Sequence, residues 1–471
     1  MNWKKISNLL LSLLLFLLPW QTRYIWQSGE LNKGYWEYGT FSIYGTEILL
    51  WIILIIFFVN HFLRKDFLAN FKEKSNILRS VFILFLLTFG LAMVFSKNFW
   101  VSYYFVFKFL EAIALLSVLL WEEEKTKYKI ALWLGGVGQG ILAIVQFLTQ
   151  YVWGNKWLGM AQQKGENLGT SVIEFADQRW LRAYGSFGSP NSLGIYLAVL
   201  FVLGLVLYLK IESARTRILI SIGQLFILSG LVLSFSRGAW LAGGLGALSL
   251  LVILIKDCHS PLGRGRGGLE TIHQQLSISQ PTPGLEAFPA QAGNSKQQTT
   301  TSLGRTNIKD FAKQIFFALA VIIFWLVIFY PVFTARFNLS NRLEAKSITE
   351  RKSQYIEALS FIQSKPALGV GPGAYTYALY KKYPTLESWQ FQPVHNIYLL
   401  ALAEVGLAGT IALFFIFKKL FLLVLKNNYI YVPVLVVLAA AGIFDHWLWS
   451  MYTGVLLWWV IFGLISKEKL N

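Results

Sequence analysis

Twelve apolar stretches recur along this chain, centred near Leu14, Ile53, Leu86, Leu110, Gly140, Leu200, Phe226, Leu245, Ile323, Leu407, Val437 and Trp458, and they leave few folds open to it. A run of about 20 apolar residues is longer than the core helix of a water-soluble domain needs and matches the thickness of a bilayer. No water reaches backbone N–H and C=O groups there, so each run must satisfy them internally as a helix. The expectation is an all-α polytopic membrane protein with about twelve transmembrane helices. Composition agrees: 55% of the 471 residues are hydrophobic and 14% charged, and the 38 glycines suit close helix crossings.

Basic residues give the runs a direction. Lys4 and Lys5, Arg64-Lys65 with Lys72 and Lys74, Lys125, Lys127 and Lys129, Lys210 with Arg215 and Arg217, Lys256 onward, Lys418-Lys419, and Lys467 with Lys469 fall in alternate loops. Positive loops stay in the cytoplasm, which predicts an even number of spans with both termini inside. That pattern absorbs much of the +18 net charge, and no basic block is interleaved with aromatics on a soluble domain, so no nucleic-acid partner is expected. The single cysteine, Cys258, excludes an intramolecular disulfide framework and a cysteine-based zinc cluster. Pro19-Trp20-Gln21-Thr22 offers no small-residue cleavage site, so the first run reads as an uncleaved span.

The chain divides into N-terminal transmembrane helices (1–180), a second membrane region (181–256 and 310–466), and a stretch at 257–309 rich in Gly, Ser, Gln, Thr and Pro that reads as a disordered cytoplasmic insert. Two long loops fall on the other side, 153–191 and 336–394, and loops of such length usually carry function. The second is expected to hold an amphipathic helix: Ser347-x-x-Glu350 has the capping-box pattern, Tyr355, Leu359 and Ile362 follow at helical spacing, and Pro366 ends the run. Gly369-Val370-Gly371-Pro372-Gly373 comes next, either a tight turn or a place where backbone N–H groups approach a ligand.

Ser234-Phe235-Ser236-Arg237-Gly238-Ala239-Trp240 sets an arginine between two apolar runs. A guanidinium in hydrocarbon costs roughly 2.5–3.5 kcal/mol, so Arg237 either snorkels to the headgroups or faces something anionic. Arg179, Arg182, Arg336, Arg342, Arg351, Lys352, Lys381 and Lys382 collect on the same side, as a phosphate-binding cavity would require. No acidic pair or cluster accompanies them, so no metal site is expected. His395 stands where the second outer loop enters an apolar run, and its imidazole could accept a proton from a bound hydroxyl or simply cap the helix. His446 beside Asp445 is a second such position. Glu404, about 13 Å further along the helix, is too distant to orient His395 and is expected to bond a neighbouring span.

Four motifs in order resemble the O-antigen ligase and O-antigen polymerase superfamily: Arg182-Ala183-x-Gly185-x-Phe187-Gly188-x-Pro190-Asn191, Ser234-x-Ser236-Arg237-Gly238-Ala239-Trp240, Pro366-x-x-Gly369-Val370-Gly371-x-Gly373, and His395-Asn396-x-Tyr398-Leu399 with Glu404-x-Gly406-Leu407. The resemblance covers the chain from about Leu181 to Ile465. It implies a membrane-embedded C-type glycosyltransferase of the bacterial inner membrane, with its site on the periplasmic or outer face. Such an enzyme moves a glycan from an undecaprenyl-pyrophosphate carrier to a hydroxyl on lipid A core, another glycan or a protein, without a cofactor. Arg182, Arg237 and Arg351 match positions that hold pyrophosphate, and His395 matches the base; Asn191, Ser236, Gly371, Asn396 and Glu404 are expected to support them. A polymerase of the same superfamily and a lipid-linked glycan transporter are the alternatives. The long insert is where the chain departs from the family pattern.

Overall fold

The computed structural model describes residues 3–62, 83–122, 125–175, 177–259 and 293–466. The basic residues Arg64, Lys65, Lys72, Lys74, Lys467 and Lys469 lie outside the described residues, as do 260–292 of the expected insert. Where description resumes, the chain is already helical at Gly293, inside the stretch expected to be irregular.

The helices are α1 (Trp3–Leu17), α2 (Gly45–Phe62), α3 (Ile83–Val94), α4 (Phe99–Trp121), α5 (Thr126–Thr149), α6 (Pro190–Lys210), α7 (Ala214–Leu233), α8 (Arg237–His259), α9 (Gly293–Ile328), α10 (Tyr330–Phe337), α11 (Arg342–Ser364), α12 (Tyr375–Lys382), α13 (Ile397–Asn428), α14 (Val432–Phe444), α15 (Trp447–Ser450) and α16 (Tyr452–Ile465). This is an all-α polytopic membrane protein. Each of the twelve apolar centres falls inside one of these helices. Among the described residues seven segments are long and apolar enough to cross a bilayer, one of them the 48-residue run Ile397–Phe444 that the backbone divides into α13 and α14. Helices α1, α2, α3 and α16 are apolar but shorter.

Helix α6 is the centre of the bundle. It is apolar on every face and buried along almost its whole length, as expected of a helix surrounded by others. Helices α5, α7, α8 and α14 pack around it, while α4 lies on α16 and α1 on α5. The α5–α7 crossing is close because Gly140 has no side chain: a Cβ there would stand 2.3 Å from the Phe226 carbonyl oxygen. A buried ammonium is balanced between helices, Lys108 of α4 lying 2.5 Å from Glu47 of α2 and 3.7 Å from Glu111.

The loops 18–44, 150–189 and 338–396 interlock. Asn32 donates to the Pro384 carbonyl at 2.7 Å and Arg342 pairs with Glu174 at 2.6 Å. Short antiparallel pairs stiffen them, Arg23–Gln27 with Phe41–Tyr44 and Val172–Phe175 with Gln178–Leu181.

Helix α11 corrects two details of the expected amphipathic helix. It starts at Arg342, so Ser347 and Glu350 lie within it and form no capping box. Asn341 precedes it without a capping bond and donates instead to the Ala335 carbonyl. The first-turn carboxylate that favours a helix N-terminus is Glu344. The buried face is Ala358 and Phe361, flanked by Tyr355 and Ile362, while Leu359 is exposed. The helix does end ahead of Pro366.

Candidate active site

Helix α7 ends at Leu233 and α8 starts at Arg237, so the chain reverses within Ser234-Phe235-Ser236. The reversal puts Phe235 at φ 49°, in the left-handed region, at a cost of about 1–2 kcal/mol for a residue with a side chain. Packing offsets that cost: the Phe235 ring is wholly buried, 4.6 Å from the ring of Phe333 and 5.6 Å from that of Phe147. The strained turn aims successive carbonyls at two guanidiniums. Arg182 Nε donates to the Ser234 carbonyl at 2.8 Å, and Arg336 Nε donates to the Phe235 carbonyl at 3.0 Å. Arg182 also donates through Nη2 to Asn191 Oδ1 at 2.8 Å. Asn191 is held there by the start of α6, where the Ser189 hydroxyl accepts from the Asn191 N–H at 3.1 Å and Pro190 opens the helix.

The anionic group that Arg237 faces is Glu344, which accepts from Arg237 Nη2 at 2.7 Å and from Arg336 with its other oxygen. These groups surround a cavity of about 210 Å³ lined by Arg182, Asn191, Ser236, Arg237, Arg336, Glu344, Ser347, Arg351 and Asp445 among others. Four guanidiniums thus meet two carboxylates. Burial, then repulsion from Arg336, holds the Arg182 pKa well below the ordinary arginine range. Burial also lowers that of Arg336, against the pull of Glu344. Gly238 and Ala239 at the start of α8 and Asn191 at the start of α6 line the same space, so two helix N-termini add their positive poles. Excess positive charge, fork-shaped donors and backbone dipoles are the features that suit a phosphate-type anion.

Beside it lies a pair of histidines. His395 and His446 meet edge to face with ring centroids 5.0 Å apart, and the Tyr38 ring is 6.0 Å from that of His446. His395 Nδ1 is 2.8 Å from Gln354 Oε1, and His446 Nδ1 is 2.6 Å from the Ser450 hydroxyl. His395 does not cap α13. Asn396 does, accepting from the N–H groups of Tyr398 and Leu399 at 3.0 and 3.1 Å. Burial lowers the His395 pKa from 6.5, with Asp445 and Glu350 opposing and Arg351 reinforcing the shift. His446 is lowered to about 4, again by burial against the pull of Asp445. Burial thus favours the neutral form of both imidazoles. Asp445 and Arg351 connect the two halves of the site, since they line the cavity and act on His395 as well.

The glycine cluster takes the turn reading. Its N–H groups do not face the cavity: Val370 donates to the Ala403 carbonyl and Gly371 to the Glu404 carbonyl, each at 2.9 Å, and Gly373 to Glu404 Oε2 at 2.8 Å. Glu404 also accepts from Trp449 Nε1 at 2.7 Å, so its partner is the short helix α15 rather than the neighbouring span expected, and it clamps the glycine loop too. The loop fits because α13 is broken at Gly406, with φ 62° and ψ −169°, where the Leu407 N–H turns away to the Pro366 carbonyl. Arg182, Asn191, Ser236, Arg237 and Arg351 therefore share one cavity, His395 and Asn396 stand beside it, and Gly371 and Glu404 brace α13. Reading the sequence did not single out Arg336 within its basic group, or Glu344 and Gln354 at all. The only trace of the last two is a polar stripe along α11, Glu344, Ser347, Arg351 and Gln354, at spacings of three and four residues. Among the described residues no three His, Cys, Asp or Glu side chains gather as a metal-binding group.

Fold and site together define a polytopic membrane protein with an arginine-lined cavity at the ends of its helices. Residues 298–414 match the family model described as O-antigen ligase, a likeness that supports the O-antigen ligase superfamily and a function of the ligase or polymerase type. The match contains Arg336, Glu344, Arg351, Gln354, His395 and Glu404, while Arg182 and Arg237 precede it. No curated protein matches the chain.

Proposed function

We propose that the chain is an integral inner-membrane glycosyltransferase that transfers a glycan from undecaprenyl pyrophosphate to an acceptor hydroxyl on the periplasmic or outer face. About twelve spans with both termini inside place the three interlocked loops on that face. The observation that carries the reading is the cavity in which four guanidiniums face two carboxylates, with a neutral imidazole beside it. Arg182, Arg237 and Arg351 hold the pyrophosphate, and Arg336 joins them. The acceptor oxygen attacks the anomeric carbon as its proton passes to His395. The bond from that carbon to the pyrophosphate oxygen breaks, and the leaving group departs with the bonding electrons. Preorganised guanidiniums meet the negative charge that develops there, a task metal ions perform in other transferases. Attack opposite the leaving group inverts the anomeric centre. The same chemistry serves a ligase acting on lipid A core, a polymerase extending a second glycan, or transfer to a protein.

The test is transfer of a labelled lipid-linked glycan by purified protein in liposomes, with donor binding measured separately. His395→Ala should lose about two to four orders of magnitude in rate and still bind donor, as general-base loss predicts. Arg237→Ala and Arg182→Ala should lose both binding and transfer, with lysine restoring little because it cannot form the two-pronged contact. A chelator should have no effect. Wild-type protein that carries donor across the bilayer and forms no glycosidic bond with any hydroxyl would make this a transporter.

A further inference from the structure

Helix α11 puts four polar residues on one face: Glu344, Ser347 and Arg351 line the cationic cavity, and Gln354, one turn beyond Arg351, reaches His395. We propose that Gln354 is the positioning residue of His395, fixing the imidazole as its Nδ1–H tautomer so that Nε2 carries the lone pair that takes the acceptor proton. Gln354 Oε1 lies 2.8 Å from His395 Nδ1, and a carboxamide oxygen only accepts, so Nδ1 donates and the remaining ring nitrogen is left basic. Among the described residues no other hydrogen bond reaches the His395 ring: His446 meets it edge to face at 5.0 Å and turns its own Nδ1 to Ser450. Because Asn396 caps α13, His395 is free of backbone duty, and among the described residues the Gln354 contact is the hydrogen bond that orients its ring.

The consequence is a mechanical link between the two halves of the reaction. The arginine beside the donor and the glutamine behind the base are three residues apart on one rigid helix, so a shift of α11 moves both together. Donor held against Arg351 and Glu344 thereby sets the position of the base.

The inference rests on the reading of His395 as base, and its test has a readout that does not require transfer. With five histidines in the chain, ¹⁵N-histidine labelling gives a spectrum in which His395 is assigned by comparison with His395→Asn. At pH 7.5 the wild type should show His395 protonated at Nδ1 and bare at Nε2, and Gln354→Leu should mix the tautomers or reverse them. In the transfer assay Gln354→Leu should lower kcat about 10- to 100-fold, the range lost when the outer partner of a metal-bound histidine is removed, with donor KM nearly unchanged. Gln354→Glu keeps an acceptor at the same place and should restore the tautomer. Its carboxylate joins Asp445 and Glu350 against Arg351, so the acid limb of the pH profile should move upward. His395 protonated at Nε2 in the wild type overturns the proposal, as does a Gln354→Leu protein with unchanged tautomer and kcat. Wild-type protein that forms no glycosidic bond sinks the transferase reading instead, while the nitrogen shifts still decide the role of Gln354.

Discussion

Arg182 is buried, is repelled by Arg336 and Arg237, and is retained by two hydrogen bonds, to the Ser234 carbonyl and to Asn191. A residue in that position gains from an anion in the cavity more than a surface arginine would, because the low dielectric that penalises its charge also strengthens any partner it finds. The histidines make the opposite adjustment by shedding their protons. This fixes the sign of two pH effects. The proposed mechanism needs neutral His395, whose pKa burial lowers from 6.5, so activity should persist through pH 6.5 and fall at more acid values. His446 is neutral in the fold down to about pH 4 but takes a proton in the unfolded chain at 6.5. The unfolded state therefore binds more protons between those values, and the stability His446 contributes, present above 6.5, is lost as pH falls toward 4. Thermal melts from pH 7.5 to 4 should show that decline, by up to about 3 kcal/mol for this group, and His446→Phe should flatten it. At this scale Arg182, Arg237 and His395 were legible because each interrupts a pattern, a charge beside an apolar run. Glu344 and Gln354 were not, since polar residues on a polar helix interrupt nothing.

Among the elements, α13 and the glycine loop show how a local break is built into a long helix. The Gly406 conformation lies in a region that essentially only glycine visits, and a Cβ there would stand 2.4 Å from the Ala367 carbonyl oxygen. A Cβ on Gly369 would stand 2.4 Å from Glu404 backbone atoms. Each lies against the backbone of the other's segment, Gly406 against Ala367 and Leu368 and Gly369 against Ala403 and Glu404, so the loop and the broken helix pack backbone to backbone. Gly406→Ala should cost at least about 1–3 kcal/mol in a thermal melt, from the strained backbone before any clash is counted. It should also depress transfer, because His395 and Asn396 start the same helix. If Gly406→Ala melts with the wild type, the break is incidental. The sequence placed these glycines together by motif and left their partner open between ligand and chain. Their N–H groups go to Ala403 and Glu404, and spacing along the chain carries no sign of that.

At the scale of the whole molecule, the site depends on sidedness. The loops 150–189 and 338–396 interlock and border the cavity, so they must lie on one face. With Cys258 replaced, single cysteines at Gly169 and Thr385, both exposed, should label from outside the cell and remain silent to a reagent confined to the cytoplasm. Labelling of the two from opposite faces would break the assembly of the site. The sequence by itself determined the helical class, the twelve apolar centres and the arginines and histidine that interrupt them, because hydrophobic burial is additive along a run and shows in composition and period. Only the tertiary structure decided which charges meet. Arg237 and Glu344 are 107 residues apart, and His395 and Gln354 are 41 apart. Hydrogen bonding and Coulomb attraction depend on distance through space, and order along the chain does not encode that distance until the helices have packed.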